Sequence, residues 1–115
     1  MEGVIRRFYE LRARTLDERG TVQDVTDLMA LLADTAQYEH PRANVTMTKT
    51  QAREGIRAHL NEGRNARITI RKIWMGSNVA TVELTLQYDV SDTRITRGVS
   101  VFEFTNGKIQ RVAEY

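Results

Sequence analysis

The sequence predicts an α+β fold in which a curved sheet wraps around helices, and three observations carry that expectation. Apolar residues recur at helical spacing through the first half of the 115-residue chain. Beyond Gly63 the period changes to two. The segment Tyr38-Glu39-His40-Pro41 marks the join, and the chain closes on Val101-Phe102-Glu103-Phe104-Thr105-Asn106-Gly107-Lys108-Ile109, a hairpin with Asn-Gly at its tip. An architecture of this order commonly encloses a pocket for a small hydrophobic molecule.

Each element has its own signal. Val4, Ile5, Phe8, Leu11 and Thr15 fall on one helical face, so residues 2–18 read as a first helix that Gly20 ends. Val22, Val25, Leu28, Met29 and Leu32 repeat the pattern over residues 22–33. The stretch from Thr35 to His40 is short and semi-apolar, and Pro41 forbids helix or ladder bonding at its own nitrogen. Thr48-Lys49-Thr50-Gln51 reads as a capping box opening a third helix over residues 50–63, with Ala52, Ile56 and Leu60 inward and Gly63 as its stop. Ile68, Ile70 and Ile73-Trp74 mark a strand that Gly76-Ser77-Asn78 turns. Val82, Leu84, Leu86 and Tyr88 alternate with polar residues in the next strand, and Ser91-Asp92-Thr93-Arg94 reads as the turn that follows.

Composition narrows the class. The length fits a single domain, residues 1–115, with a core that needs no staples. The absence of cysteine excludes disulfides, thiolate metal sites and a cysteine nucleophile. The apolar stretches are short and interrupted, and the start of the chain lacks the layout of a secretion signal, so a cytoplasmic protein away from membranes is expected. Arginines outnumber lysines 14 to 3, yet acids are interleaved with them along the first helix and the net charge is +2, so nucleic acid is not an expected partner. Val99 and Val101 point to one side of their strand, and Phe102 and Phe104 to the other. A strand apolar on both faces must be covered on both. Three helices cover one face, and a second copy would cover the other, so a homodimer through the sheet face is expected.

The helices, the Tyr-Glu-His-Pro segment, the capping-box helix and the Phe-Glu-Phe-Thr-Asn-Gly-Lys-Ile hairpin together resemble the nuclear transport factor 2-like superfamily, over essentially the whole chain. Within it the chain looks closest to the SnoaL-like, ketosteroid isomerase-like and limonene epoxide hydrolase-like branches. The resemblance implies a cone-shaped barrel, in which a curved, mixed and mainly antiparallel sheet encloses a largely apolar pocket beneath the three helices of the N-terminal half. The same fold serves isomerases, cyclases, hydrolases, binders and assembly subunits, so it does not choose among them.

Against the ketosteroid isomerases, His40 stands where a carboxylate base precedes the proline, Phe8 where helix one carries a phenol, and Ser100 where a protonated aspartic acid donates. Phenylalanine donates no hydrogen bond, so the resemblance argues against steroid isomerisation by that mechanism. Against the limonene epoxide hydrolases, Asp89 and Glu114 match the two carboxylates, Tyr38 matches the tyrosine, His40 falls near the asparagine, and Gln87 replaces the bridging arginine. Against the SnoaL-like cyclases, Asp89 or His40 would move the proton.

The strand pattern tests these placements. If Asp92-Thr93 is a two-residue turn, residue 85 pairs with 100, and Gln87, Asp89 and Ser100 share a face. Ideal pairing about Asn106-Gly107 sets Glu114 opposite Val99, on the other face, and a bulge near the hairpin would bring it back. Tyr38, Trp74 and Tyr88 are the aromatics placed to line a pocket or pack at its rim. His59 reads as a solvated or bridging histidine, and two distant histidines give no metal signature.

Two functions follow. The first is an enzyme with no cofactor, using His40, Asp89 or Glu114 for acid–base chemistry on a small hydrophobic molecule, with Tyr38, Trp74, Gln87, Tyr88 and Ser100 around it. The second is a non-catalytic ligand-binding or dimeric assembly module of the same fold.

Overall fold

A computed structural model describes residues 1–62, 64–88 and 94–115. Helix α1 spans Glu2–Leu16 and α2 spans Val22–Ala30. Strand β1, Leu32–His40, runs through a short 3-10 turn at Pro41–Ala43 into β2, Val45–Thr48, and helix α3 follows at Lys49–Ala58. The remaining strands are β3 at Ala66–Met75, β4 at Val79–Tyr88, β5 at Thr96–Thr105 and β6 at Lys108–Glu114. They form one six-stranded sheet in the order β2-β1-β6-β5-β4-β3, antiparallel except for the parallel β1–β6 pair. The sheet is mixed and mainly antiparallel as expected, but β2 and β3 are free edges, so the cone is open and not a closed barrel.

Local chemistry accounts for the boundaries. Both later helices start on capping boxes, Thr21 with Asp24 and Thr48 with Gln51, each pair exchanging side-chain and backbone bonds at 3.0–3.1 Å. Helix α3 ends at Ala58, short of the expected residue 63, and Gly63 lies outside the described residues. Gly20 is required by a close approach, since a Cβ there would stand 2.6 Å from the Arg14 carbonyl oxygen. The second helix is shorter than its apolar pattern suggests. Leu31 caps it, its carbonyl accepts from Ile109 N at 2.9 Å, and Leu32 already belongs to β1. The short semi-apolar stretch from Thr35 to His40 is thus part of a strand, with Ala36 and Tyr38 turned into the core. At the hairpin tip Asn106 and Gly107 have φ of 52° and 78°, the paired left-handed conformations of a type I′ turn.

The core lies between α1, α2 and the inner face of the sheet. Ile5, Phe8, Leu28, Leu32 and Phe102 are fully buried there. Phe8 meets Phe102 edge to face at 5.3 Å and Tyr9 at 5.1 Å, and Tyr9 meets Phe102 at 5.8 Å, so one aromatic cluster locks α1 to β5.

Three register details position the site. A bulge between Glu103 and Phe104 leaves Gln110 without an opposite number, and from there Ser100 pairs with Glu114. The β4–β5 pairing sets Val82 against Ser100 and Leu86 against Thr96, three residues away from the expected register. Val82, Leu84 and Leu86 therefore share the inner face with Ser100, and Gln87 lies on the outer face opposite Arg67. In β3 a shift between Ile70 and Lys72 turns Ile73 inward and Trp74 outward.

Candidate active site

Four elements converge on one carboxylate. The bulged β6 delivers Glu114 to the inner face beside Ser100 of β5, β1 delivers Tyr38, and α1 delivers Tyr9 and, one turn later, Arg12. The Tyr38 hydroxyl donates a short hydrogen bond to Glu114 Oε1. The Tyr9 hydroxyl lies 2.5 Å from Ser100 Oγ and donates to Glu114 Oε2 at 3.4 Å. The Arg12 guanidinium feels the Glu114 charge, and its Nη1 donates to Thr15 Oγ1 at 2.9 Å.

Burial gives this cluster its character. Tyr9, Tyr38 and Ser100 are buried, and Glu114 and Arg12 are half-buried. Burial, and then the Glu114 charge, push the Tyr38 phenol far above the usual tyrosine range. Burial and Glu114 push Tyr9 the same way. Both phenols therefore stay protonated donors. Burial acts to lower Arg12, but Tyr38 and Glu114 outweigh it and hold the guanidinium above its ordinary value.

Two chambers open beside the cluster. The sheet-side chamber, about 340 Å³, has apolar walls from Leu16, Ile68, Leu84 and Leu86, with Tyr9, Ser100 and Glu114 at its polar end. The α3-side chamber, about 260 Å³, lies between Tyr38, Met47, Ala52 and Ile56. Arg12, Leu16 and His40 line both. The His40 ring is 5.3 Å from that of Tyr38, tilted by 38°.

The structure brings Tyr38, Ser100 and Glu114 into contact through the cluster and sets His40 and Tyr88 in the sheet-side wall. Arg64 stands 5.7 Å over the Tyr88 ring. Gln87 and Trp74 are on the outer face, and Trp74 is 47% exposed beneath Lys72. A strand alternating evenly from Ile68 would have turned Trp74 inward, and the shift at Arg71 is what reverses it. Asp89 and the Asp92-Thr93 turn lie outside the described residues. Among the described residues no three His, Asp or Glu side chains gather as metal ligands, and no helix is long and apolar enough to cross a membrane.

Two members of the site were absent from the sequence reading. The helix-one phenol is Tyr9, next to the Phe8 examined for that role, and the arginine near the carboxylate is Arg12 of α1, where the strand comparison offered only Gln87. Their i, i+3 spacing on the face toward Ser100 was the available signal.

The family model for a SnoaL-like domain matches residues 5–112, and the chain belongs to that family. No curated protein matches the sequence. Among solved structures, a candidate ketosteroid isomerase from Kribbella flavida aligns with a TM-score of 0.73 at 19% identity, over 97% of this chain and 73% of its own. The epoxide hydrolase/cyclase-like enzyme SalBIII, which acts in pyran ring formation in the polyether salinomycin, gives a TM-score of 0.73 at 15% identity, over 99% and 88%. An epoxide hydrolase of the limonene type from M. tuberculosis gives 0.65 at 21% identity, over 81% and 70%. These likenesses establish the nuclear transport factor 2-like fold. A de novo designed curved-sheet protein shares that fold, with a TM-score of 0.68, 22% identity and coverage of 99% and 85%, so shape alone assigns no chemistry.

Proposed function

We propose that the protein is an acid–base enzyme acting on a small, largely apolar molecule through one oxygen function, in the manner of an isomerase, cyclase or epoxide hydrolase. One observation carries this reading: a carboxylate, Glu114, is held by two buried phenols beside an apolar chamber of about 340 Å³. Glu114 takes and returns the proton. Tyr9, whose bond to Glu114 Oε2 is long at 3.4 Å, turns its single hydroxyl proton to the oxygen on which negative charge develops, while Ser100 donates its own to the Tyr9 oxygen. Tyr38 holds the carboxylate by a direct hydrogen bond, the Arg12 charge favours its ionised form, and His40 stands at the wall both chambers share.

The test is turnover of a panel of epoxides and enolisable ketones, first by the wild type and then by Glu114→Gln, which keeps the shape and removes the base. Rates should fall roughly 10²–10⁴-fold, the usual contribution of a positioned acid–base group. A variant as fast as the wild type removes Glu114 from the mechanism. A wild type that binds panel members and turns none over favours the non-catalytic binding module.

We further propose that the outer sheet face covers a second copy. Val99 is 41% exposed there, and Val101 is half-buried. A two-fold axis through Ser100 would set Val99 against Val101, and Arg97 against Glu103, so apolar and charged positions are both self-complementary. Sedimentation at micromolar concentration should show a dimer that Val99→Glu splits, and a wild-type monomer there refutes it.

A further inference from the structure

Strand β5 turns Thr96, Gly98 and Ser100 to the inner face in succession, and Gly98 is the one of the three without a side chain. It lies in the wall of the sheet-side chamber, opposite Leu84 across the β4–β5 pair. Ser100, the next inward residue, pairs with Glu114. The gap left by the missing side chain is thus a single two-residue strand repeat, roughly 6–7 Å, from the residue paired with the carboxylate.

The fold itself does not demand glycine there. Its φ is not left-handed, so the backbone accepts an L side chain. A Cβ at this position would stand 3.4 Å from Leu84 Cδ1, the end of a flexible side chain, and 3.7 Å from the Tyr115 carbonyl oxygen. A methyl group therefore fits with a small shift of Leu84. Glycine inside a strand weakens it, and often marks a place where a ligand comes close to the backbone. Here the bare backbone floors the chamber beside Leu84 and Leu86, with Leu16 of α1 also in the wall. At about 340 Å³ the chamber is near the lower end of the roughly 300–1,000 Å³ usual for ligand pockets, which suits a small ligand and excludes a large polycycle.

We propose, resting on the acid–base reading above, that Gly98 is a specificity-determining residue: it makes room beside Glu114 for a substrate whose reacting carbon belongs to a small ring system of one or two rings. The atoms flanking the reacting carbon lie over Gly98. A ring makes that flank broad, and only a position without a side chain leaves the width it needs. An open chain is slim at the same point and does not need the gap.

Calorimetric titration with β-tetralone and with methyl octyl ketone, an open-chain ketone of the same carbon count, tests this without turnover. Gly98→Val puts a branched side chain on the chamber floor and suits a strand better than glycine, so thermal melting should show it folded. β-Tetralone should bind this variant about tenfold or more weakly than the wild type, the scale of one misfitting methylene in an apolar pocket. Methyl octyl ketone should lose much less. Should Gly98→Val fail to fold, Gly98→Ala carries the test, with a smaller loss in the same direction. Gly55→Leu, which narrows the α3-side chamber instead, should leave both affinities unchanged. Equal losses for the two ketones in the Gly98 variants overturn the inference, as does a β-tetralone affinity that falls with Gly55→Leu and not with Gly98→Val. Binding of neither ketone to the wild type at millimolar concentration overturns it too. Glu114→Gln separates the two proposals: the ring-selective loss caused by Gly98→Val should persist on that background whether or not turnover is lost.

Discussion

The inner and outer faces of the β5–β6 hairpin carry the same residue types and put them to different uses. Outside, Glu103 accepts from Arg111 Nη1 at 2.9 Å, and Arg111 also pairs closely with Glu39, a ladder across three strands that is exposed at its Glu103 end. Inside, Glu114 is held by two buried phenols and faces a guanidinium that burial deprives of water. Exposed ion pairs contribute little because water already satisfies both partners. A carboxylate partly withdrawn from water depends on each remaining donor. The position of the charge, more than its identity, separates a surface ladder from the candidate site.

The largest expected contrast in stability is apolar. Phe102 is fully buried against Phe8 and Tyr9, and its neighbour Val101 faces outward. Phe102→Ala should cost about 3–5 kcal/mol, the range for truncating a buried aromatic. Val101→Ala should cost well under half as much. Urea titrations of the two variants check this, and equal losses would mean that the outer face is as covered as the core.

A smaller contrast is pH-dependent. Tyr38 and Tyr9 are held above the usual tyrosine range by burial and by Glu114. Between neutrality and the unfolded value near 10 their phenols are protonated in both states, so their contribution is constant. Above that value the unfolded state loses protons that the folded state keeps, and stability falls as pH rises. Tyr38→Phe should destabilise the protein by about 1–3 kcal/mol at neutral pH, because Glu114 loses a donor, and should flatten the fall above pH 10. An unchanged alkaline slope would show that Tyr38 titrates normally.

Much of this architecture is legible in the residues, and the failures have a common cause. Thr48-Gln51 and Asn106-Gly107 act within four residues, and both form as their chemistry dictates. Errors enter where register depends on bulges. Plain alternation misplaces Glu114 and Trp74, because single extra residues at Gln110 and Arg71 each reverse a face. The β4–β5 register differs by three from the one anticipated, and its last pair among the described residues is Leu86 with Thr96; the Asp92-Thr93 turn lies outside them. Phe8 and Tyr9 both fall on the buried side of α1, and no helical period distinguishes the packing ring from the phenol that reaches Glu114. The distinction comes from Ser100, 91 positions away, through the register that local pattern could not supply.

The smallest expected effect completes the comparison. Glu103→Gln removes one end of the outer ladder, where Glu103 is exposed and Arg111 keeps Glu39. Its cost should be no more than about 1 kcal/mol and should shrink further in molar salt, where the screening length falls to about 3 Å. Turnover should not change, because the side chain lies on the far face of the sheet from Glu114. Activity that fell with Glu103→Gln would mean that the outer ladder sets the geometry of β6, and through it the placement of Glu114. The two faces would then be one mechanical unit, and Arg111, paired to both Glu39 and Glu103, would be its connecting residue.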